Sequence, residues 1–177
     1  AQENRQELEK VLYHYKNDPE KLAAARFLIV NMPYHYTLEQ YYVSPHNEKF
    51  KPNIIAFDSL QDAVNLFDSL KNKGYEMESS VKYDISTLDS RFLIDNIDQA
   101  FTVWKKPWAK NISFNDFCKY ILPYRAQTEK VSHLRKDIME RFIPILDSAN
   151  VKTPLEACTV LNEHLKGIMK YGHTGLP

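Results

Sequence analysis

Scarcity of glycine is what most narrows the folds open to this chain: there are four among 177 residues, and Gly167, Gly172 and Gly175 all fall within the last eleven. Hairpin turns lean on glycine because it takes positive φ at no steric cost. Before Gly167 only Gly74 could serve, so a large sheet would lack its turns. The expectation is a mainly α fold, an irregular helical bundle of about six to seven helices with one long loop and little or no sheet.

Helix starts and stops are written along the chain. Asp18-Pro19-Glu20 offers a capping side chain followed by proline at the first helical position, and LAAARFLIV then runs to a stop at Pro33. A helix is expected over 19–31. Leu8, Val11, Leu12 and Tyr15 recur at helical spacing before it, so the two should form a short hairpin. From Tyr34 to Ile55 tyrosines and prolines are spaced too irregularly for a helix, and a long loop or a pair of short extended segments is expected. Ser59 opens a helix that Gly74 closes in a left-handed cap. Ser79 to Tyr83 reads as a short strand or an extended connection.

Ser86 or Thr87 is the expected cap of the next helix, which carries Leu88, Phe92, Ile97, Phe101 and Trp104 until Pro107. Ser113 to Asp116 forms a capping box for a short helix ending at Leu122-Pro123. Val131 to Asp147 reads as helical with a kink or break at Pro144, and Thr153-Pro154-Leu155-Glu156 starts a last helix reaching about Lys170. The split expected is a helical domain over 1–150 and a separate opening helix over 151–177.

Charge and composition remove several function classes. The 23 basic and 23 acidic side chains cancel, so no summed field draws in nucleic acid. No apolar run approaches the ~20 residues of a membrane span. Cys118 and Cys158 stand 40 residues apart, and each lies among apolar neighbours as a small filler of a helix face. The histidines (His14, His35, His46, His133, His164 and His173) show no pair four apart, so no metal site is expected. There is no Gly-x-Ser-x-Gly elbow and no glycine-rich phosphate loop. No catalytic residue and no cofactor are assigned.

Aromatics remain. Tyr34, Tyr36, Tyr41 and Tyr42 precede a later group of Trp104, Trp108, Tyr120 and Tyr124, and such side chains offer broad contact area with a polar edge for a sugar or a peptide. They serve equally well to close a core or an interdomain face. Asn111-Ile112-Ser113 matches a glycosylation sequon, with Ser113 better used as a helix cap.

The stretches NMPYHY at Asn31–Tyr36, AFTVW at Ala100–Trp104 and PWAKNISFNDFCKYILPYR at Pro107–Arg125 resemble the N-terminal helical region of secreted transglutaminase-like proteins of gut-type Bacteroidetes. The resemblance implies an exported chain whose signal has been removed, located in the periplasm, outside the cell or on its surface as a lipoprotein. It also implies that LEACTVLNEHLKGIMKYG opens a papain-like core whose Gly-x-Cys nucleophile, His and Asp lie beyond Pro177. The function so implied is that of a non-catalytic accessory domain, with the catalytic domain as its partner. Tyr34, His35, Tyr36, Trp104, Trp108, Tyr124 and Arg125 would then face the substrate groove or the domain interface, with Arg125 available to a carboxylate. The alternative is a free-standing surface module that binds peptide or glycan.

Overall fold

A computed structural model of the chain describes residues 4–53, 56–57 and 59–166. Over these residues the fold is mainly helical with one three-stranded sheet. Two compact units are present: one runs up to Thr37 and resumes at Lys82, and the other comprises Leu38–Val81.

The first unit is built around α5, Ser90–Trp104. Helices α1, Arg5–His14, and α2, Pro19–Asn31, pack on it, and Leu8, Val11, Ala24, Ala25, Leu28 and Met32 meet Leu93, Ile97, Ala100 and Phe101 in one core. The fully buried alanines let the backbones come close, and the larger side chains interlock around them. Polar pins fix the register. Asp18 caps α2 by accepting from the Lys21 amide at 3.1 Å, as the Asp-Pro signal predicts. The Tyr15 hydroxyl donates to Asp98 at 2.8 Å, and Lys21 bonds the same carboxylate oxygen at 2.8 Å.

After α2 a single 3₁₀ turn, Met32–Tyr34, leads into β1, Tyr36–Val43. Following β3, Glu76–Tyr83, the chain returns through the one-turn helix α4, Asp84–Thr87. Helix α5 is capped by Asp89, which accepts from the Phe92 amide at 2.7 Å, and neither Ser86 nor Thr87 has that role. Both lie in α4, where the Thr87 hydroxyl turns back to the Tyr83 carbonyl. Ser113 caps α6, Phe114–Asp116, as expected, and α6 continues into a π turn over Phe117–Ile121 closed by the Leu122 amide on the Phe117 carbonyl. The wide turn puts Phe117, Cys118 and Leu122 on the buried side. Helix α7 is Leu134–Ser148 with Pro144 inside it, and α8 is Pro154–Lys166. The expected extension of α8 to Lys170 lies outside the described residues.

The second unit decides between the long loop and the pair of extended segments expected after Tyr34, in favour of the segments. Tyr34–Ile55 contains β1 and β2, Lys49–Phe50, which pair antiparallel with Tyr42 opposite Phe50; β3 completes the order β2-β1-β3. The turn is made without glycine. Asn47 takes φ of 64°, and the Ser44 hydroxyl accepts from the amides of His46 and Glu48, a local substitute for a glycine turn. Helix α3, Leu60–Asn72, stacks Phe67 on Tyr42 and ends at Gly74 with φ of 75°. A Cβ there would also meet the Pro45 ring at 3.2 Å, so this glycine answers both a conformational and a steric demand.

Glu7 on α1 generates a test of this packing. Its carboxylate accepts from the Ser90 amide at 2.8 Å and the Ser90 hydroxyl at 2.6 Å, at the first turn of α5. Bonds from Lys10 and then Ser90 lower its pKa from 4.5 to about 2. A lowered folded-state value means that this stabilisation is complete above pH 4.5 and fades as the pH falls through about 2. Glu7→Gln should therefore flatten the acid limb of the stability profile between those values, measured as urea midpoint against pH.

Candidate ligand-binding cleft

A buried ion pair organises the polar side of the first unit. The side chains of Arg125 and Asp84 are 2% and 1% exposed, and Arg125 Nη2 meets Asp84 Oδ1 at 2.6 Å. Arg125 Nη2 also donates to Thr37 Oγ1 at 3.1 Å, while Nη1 donates to the carbonyls of Tyr36, Gln127 and Glu129. The other Asp84 oxygen accepts from the Tyr124 hydroxyl at 3.0 Å. His35 Nδ1 lies 3.4 Å from that hydroxyl; because the Tyr124 proton is given to Asp84, the phenol oxygen is left to accept from His35. Burial and the Asp84 charge both push the Tyr124 pKa up, so this phenol stays protonated and acts as a donor. Glu129 holds the loop by accepting from the amides of Ala126 and Gln127 at 2.7 and 2.8 Å. Burial disfavours its charge, yet those amide bonds outweigh it and keep the carboxyl pKa low.

Beside this knot α5 and α7 line a cleft of about 450 Å³, within the ordinary range of small-molecule sites. Phe92, Asn96, Gln99 and Val103 form one wall, at spacings of four, three and four that keep them on one helix face. The same rhythm on α7 supplies Arg135, Ile138, Phe142 and Leu146. The adjoining face of α5 is in the core, so one helix serves both. The Arg135–Asn96 bond of 3.0 Å, from the first turn of α7 to the middle of α5, and the Lys106–Asp147 bond of 2.7 Å, from just past α5 to the last turn of α7, show that the two helices run in the same direction.

The residues singled out from sequence have four different placements, two of which share Tyr124 and Arg125. His35, Tyr36, Tyr124 and Arg125 come together at the knot. Tyr124, Arg125 and Trp108 line the cleft. Trp104 stacks on Phe117 with centroids 4.5 Å apart and donates to the Ile112 carbonyl at 2.9 Å, so it is a packing residue of the core rim. Tyr34 is 81% exposed and stands apart from the cleft lining. The guanidinium nitrogens Nη1 and Nη2 of Arg125 are fully engaged, which leaves them no capacity for an incoming carboxylate. Asp84, Asn96, Arg135 and Ile138 were not singled out. Asn96 carried a signal, being a polar residue on the apolar face of α5, whereas the pairing of Asp84 with Arg125 spans 41 residues and leaves no local trace.

Cys118 is buried, and burial raises its thiol pKa. Cys158 is exposed, which corrects its expected place as a core filler. On α8 the inward positions are Ala157, Val160 and Leu161, and Cys158 is one step off that face. Among the described residues no three His, Cys, Asp or Glu side chains converge on a point that would hold a metal, and no helix is long and apolar enough to cross a membrane. Comparison with known proteins finds no matching family model, no similar curated protein and no similar solved structure.

Asp84→Ala strands a buried guanidinium and should cost about 3–5 kcal/mol, read from urea unfolding; a loss below about 1 kcal/mol, the worth of an exposed pair, would contradict the structural role given to the knot. Iodoacetamide at mildly alkaline pH should alkylate Cys158 in the folded protein and Cys118 only in denaturant, as mapped by peptide mass spectrometry.

Proposed function

We propose that this chain is a non-catalytic accessory domain of an exported transglutaminase-like protein and that the α5–α7 cleft holds part of that protein's substrate. The observation that carries the binding half is the cleft, whose walls are mainly aliphatic and aromatic with a few fixed polar groups, the arrangement expected of a recognition site. Leu134 and Ile138, 58% and 45% exposed, line it, and exposed apolar side chains grouped at a concavity favour a binding surface. The parentage is supported by the sequence blocks Asn31–Tyr36, Ala100–Trp104 and Pro107–Arg125. The last of these shapes the cleft directly, since it contributes Trp108, Tyr124 and Arg125.

Action as a free-standing surface module for peptide or glycan uses the same cleft, and aliphatic walls favour peptide between those ligands. Both forms of the proposal place the chain outside the cytoplasm.

Two measurements test these halves separately. The coding sequence beyond the Pro177 codon should encode a Gly-x-Cys followed by His and Asp; its absence would overturn the parentage. The apolar anion 1-anilinonaphthalene-8-sulfonate should bind the folded chain and fluoresce, and Ile138→Trp, which fills the cleft from a partly exposed position, should abolish that binding without lowering the unfolding midpoint. Undiminished dye binding in the variant would overturn the cleft as a ligand site.

A further inference from the structure

Arg135 is the unusual group in this cleft. Its Nε donates to Asn96 Oδ1 at 3.0 Å, and its Nη2 donates to the carbonyls of Ile121 and Pro123 at 2.6 and 2.7 Å. All three partners are neutral. Among the described residues it forms no ion pair and its Nη1 has no hydrogen-bond partner, and that nitrogen is not fully shielded from solvent. Burial lowers the Arg135 pKa, yet guanidinium stays protonated at any physiological pH. A half-buried, permanent cation with one open donor and only neutral hydrogen-bond partners is a place where a ligand anion gains more than it would in water. The other ionisable side chains lining the cleft are Asp95, Tyr124, Glu129, Lys130, His133 and Arg125. Arg125 is neutralised by Asp84, Glu129 is committed to backbone amides, and Asp95 forms no ion pair with Arg135.

The cleft is therefore polar at one end and apolar at the other. Arg135 and Leu146 lie eleven residues apart on α7, about 16 Å at 1.5 Å per residue. At the far end the Trp108 ring packs against the Leu146 and Val151 cluster, and its Nε1–H is shielded from solvent without an acceptor. A buried donor left unmet is destabilising. Arg125 Nε, in the same lining, is likewise buried and unpaired. An aliphatic chain ending in a carboxylate would satisfy Arg135 but offer nothing to these donors. A peptide carries a carbonyl at every residue, and meeting one of them requires the Trp108 ring to turn its shielded Nε1–H toward the cleft; 16 Å corresponds to about four or five extended residues at ~3.4 Å each.

Granted that the cleft is the binding site proposed above, we propose that it takes the C-terminal end of a short apolar peptide, with the terminal carboxylate on Arg135 and a main-chain carbonyl on Trp108. The apolar side chains lie along Phe92, Val103, Ile138 and Phe142. The peptide's free carboxylate sets the orientation, so internal segments of a longer chain are disfavoured.

The test titrates three probes into the 177-residue chain by calorimetry: N-acetyl-Leu-Ala-Leu-Phe as free acid, the same peptide as its C-terminal amide, and decanoate. Indole N–H resonances of Trp104 and Trp108 are followed by NMR in parallel. The free acid should bind at least about tenfold tighter than the amide, about 1.4 kcal/mol, and should move the Trp108 resonance but not that of Trp104. Arg135→Gln should erase the difference between acid and amide, and Arg135→Lys should keep part of it. Equal binding of acid and amide overturns the carboxylate assignment, and tighter binding of decanoate than of the peptide acid overturns the peptide assignment. Failure of all three probes while the fluorescent dye still binds overturns this inference and leaves the cleft standing, whereas loss of dye binding as well removes the cleft proposal itself. Should Arg135→Gln fail to fold, the comparison of acid with amide on the unaltered chain decides the matter.

Discussion

The buried pairing of Arg125 with Asp84 is the constraint on which the rest of the first unit depends. Two charges have been taken out of water, and a low-dielectric site tolerates that only if the geometry is close and most of the remaining donors are filled. Three segments distant in sequence together fill those of Nη1 and Nη2, leaving Nε alone unpaired: the chain entering β1 through Tyr36 and Thr37, α4 through Asp84, and the loop at 125–130 through its carbonyls. None can shift without exposing a charge to an apolar surrounding. That rigidity is what places Tyr124, Arg125 and Glu129 in the wall of the cleft.

Helix α5 transmits this order along the molecule. Its Leu93, Ile97, Ala100 and Phe101 face belongs to the core, while Phe92, Asn96, Gln99 and Val103 face α7. Asn96 joins the two sides, since its amide nitrogen donates to the Leu122 carbonyl at 2.8 Å and its oxygen accepts from Arg135. One buried amide thereby ties the end of the π turn to the first turn of α7. Arg135 in the first turn of α7 stands beside Asn96 in the middle of α5, and Phe142 and Leu146 lie farther along α7, so the cleft runs from a polar to an apolar end.

Much of the helical frame was legible in the residues because caps and stops are local chemistry. Asp18-Pro19, Ser59, Ser113 and Gly74 all act where the spacing puts them. The small sheet was legible only as possible extended segments, not as paired strands. Its strand pattern is weakly alternating, its second strand has two residues, and Ser44 and Asn47 make the turn that glycine scarcity argued against. The cap of α5 was misplaced by a few residues because Ser86, Thr87 and Asp89 are all competent caps, and α4 consumes the first two. Cys158 was misplaced because one step around a helix, about 100°, separates the buried face from solvent.

Of the cleft, the sequence alone announced Trp108, Tyr124 and Arg125, as aromatic and basic residues at turns, without saying which would be free to bind. Local composition determined the helices, their ends and the absence of a strong net field, since those depend on residues within a turn or two of each other or on simple sums. Tertiary structure decided that Arg125 spends its charge on Asp84 while Arg135 keeps its own. Both are arginines near helix or turn boundaries, and what separates them is whether a carboxylate arrives from 41 residues away or only carbonyls and an amide stand near. Such a difference is a property of packing, and no window along the chain contains it.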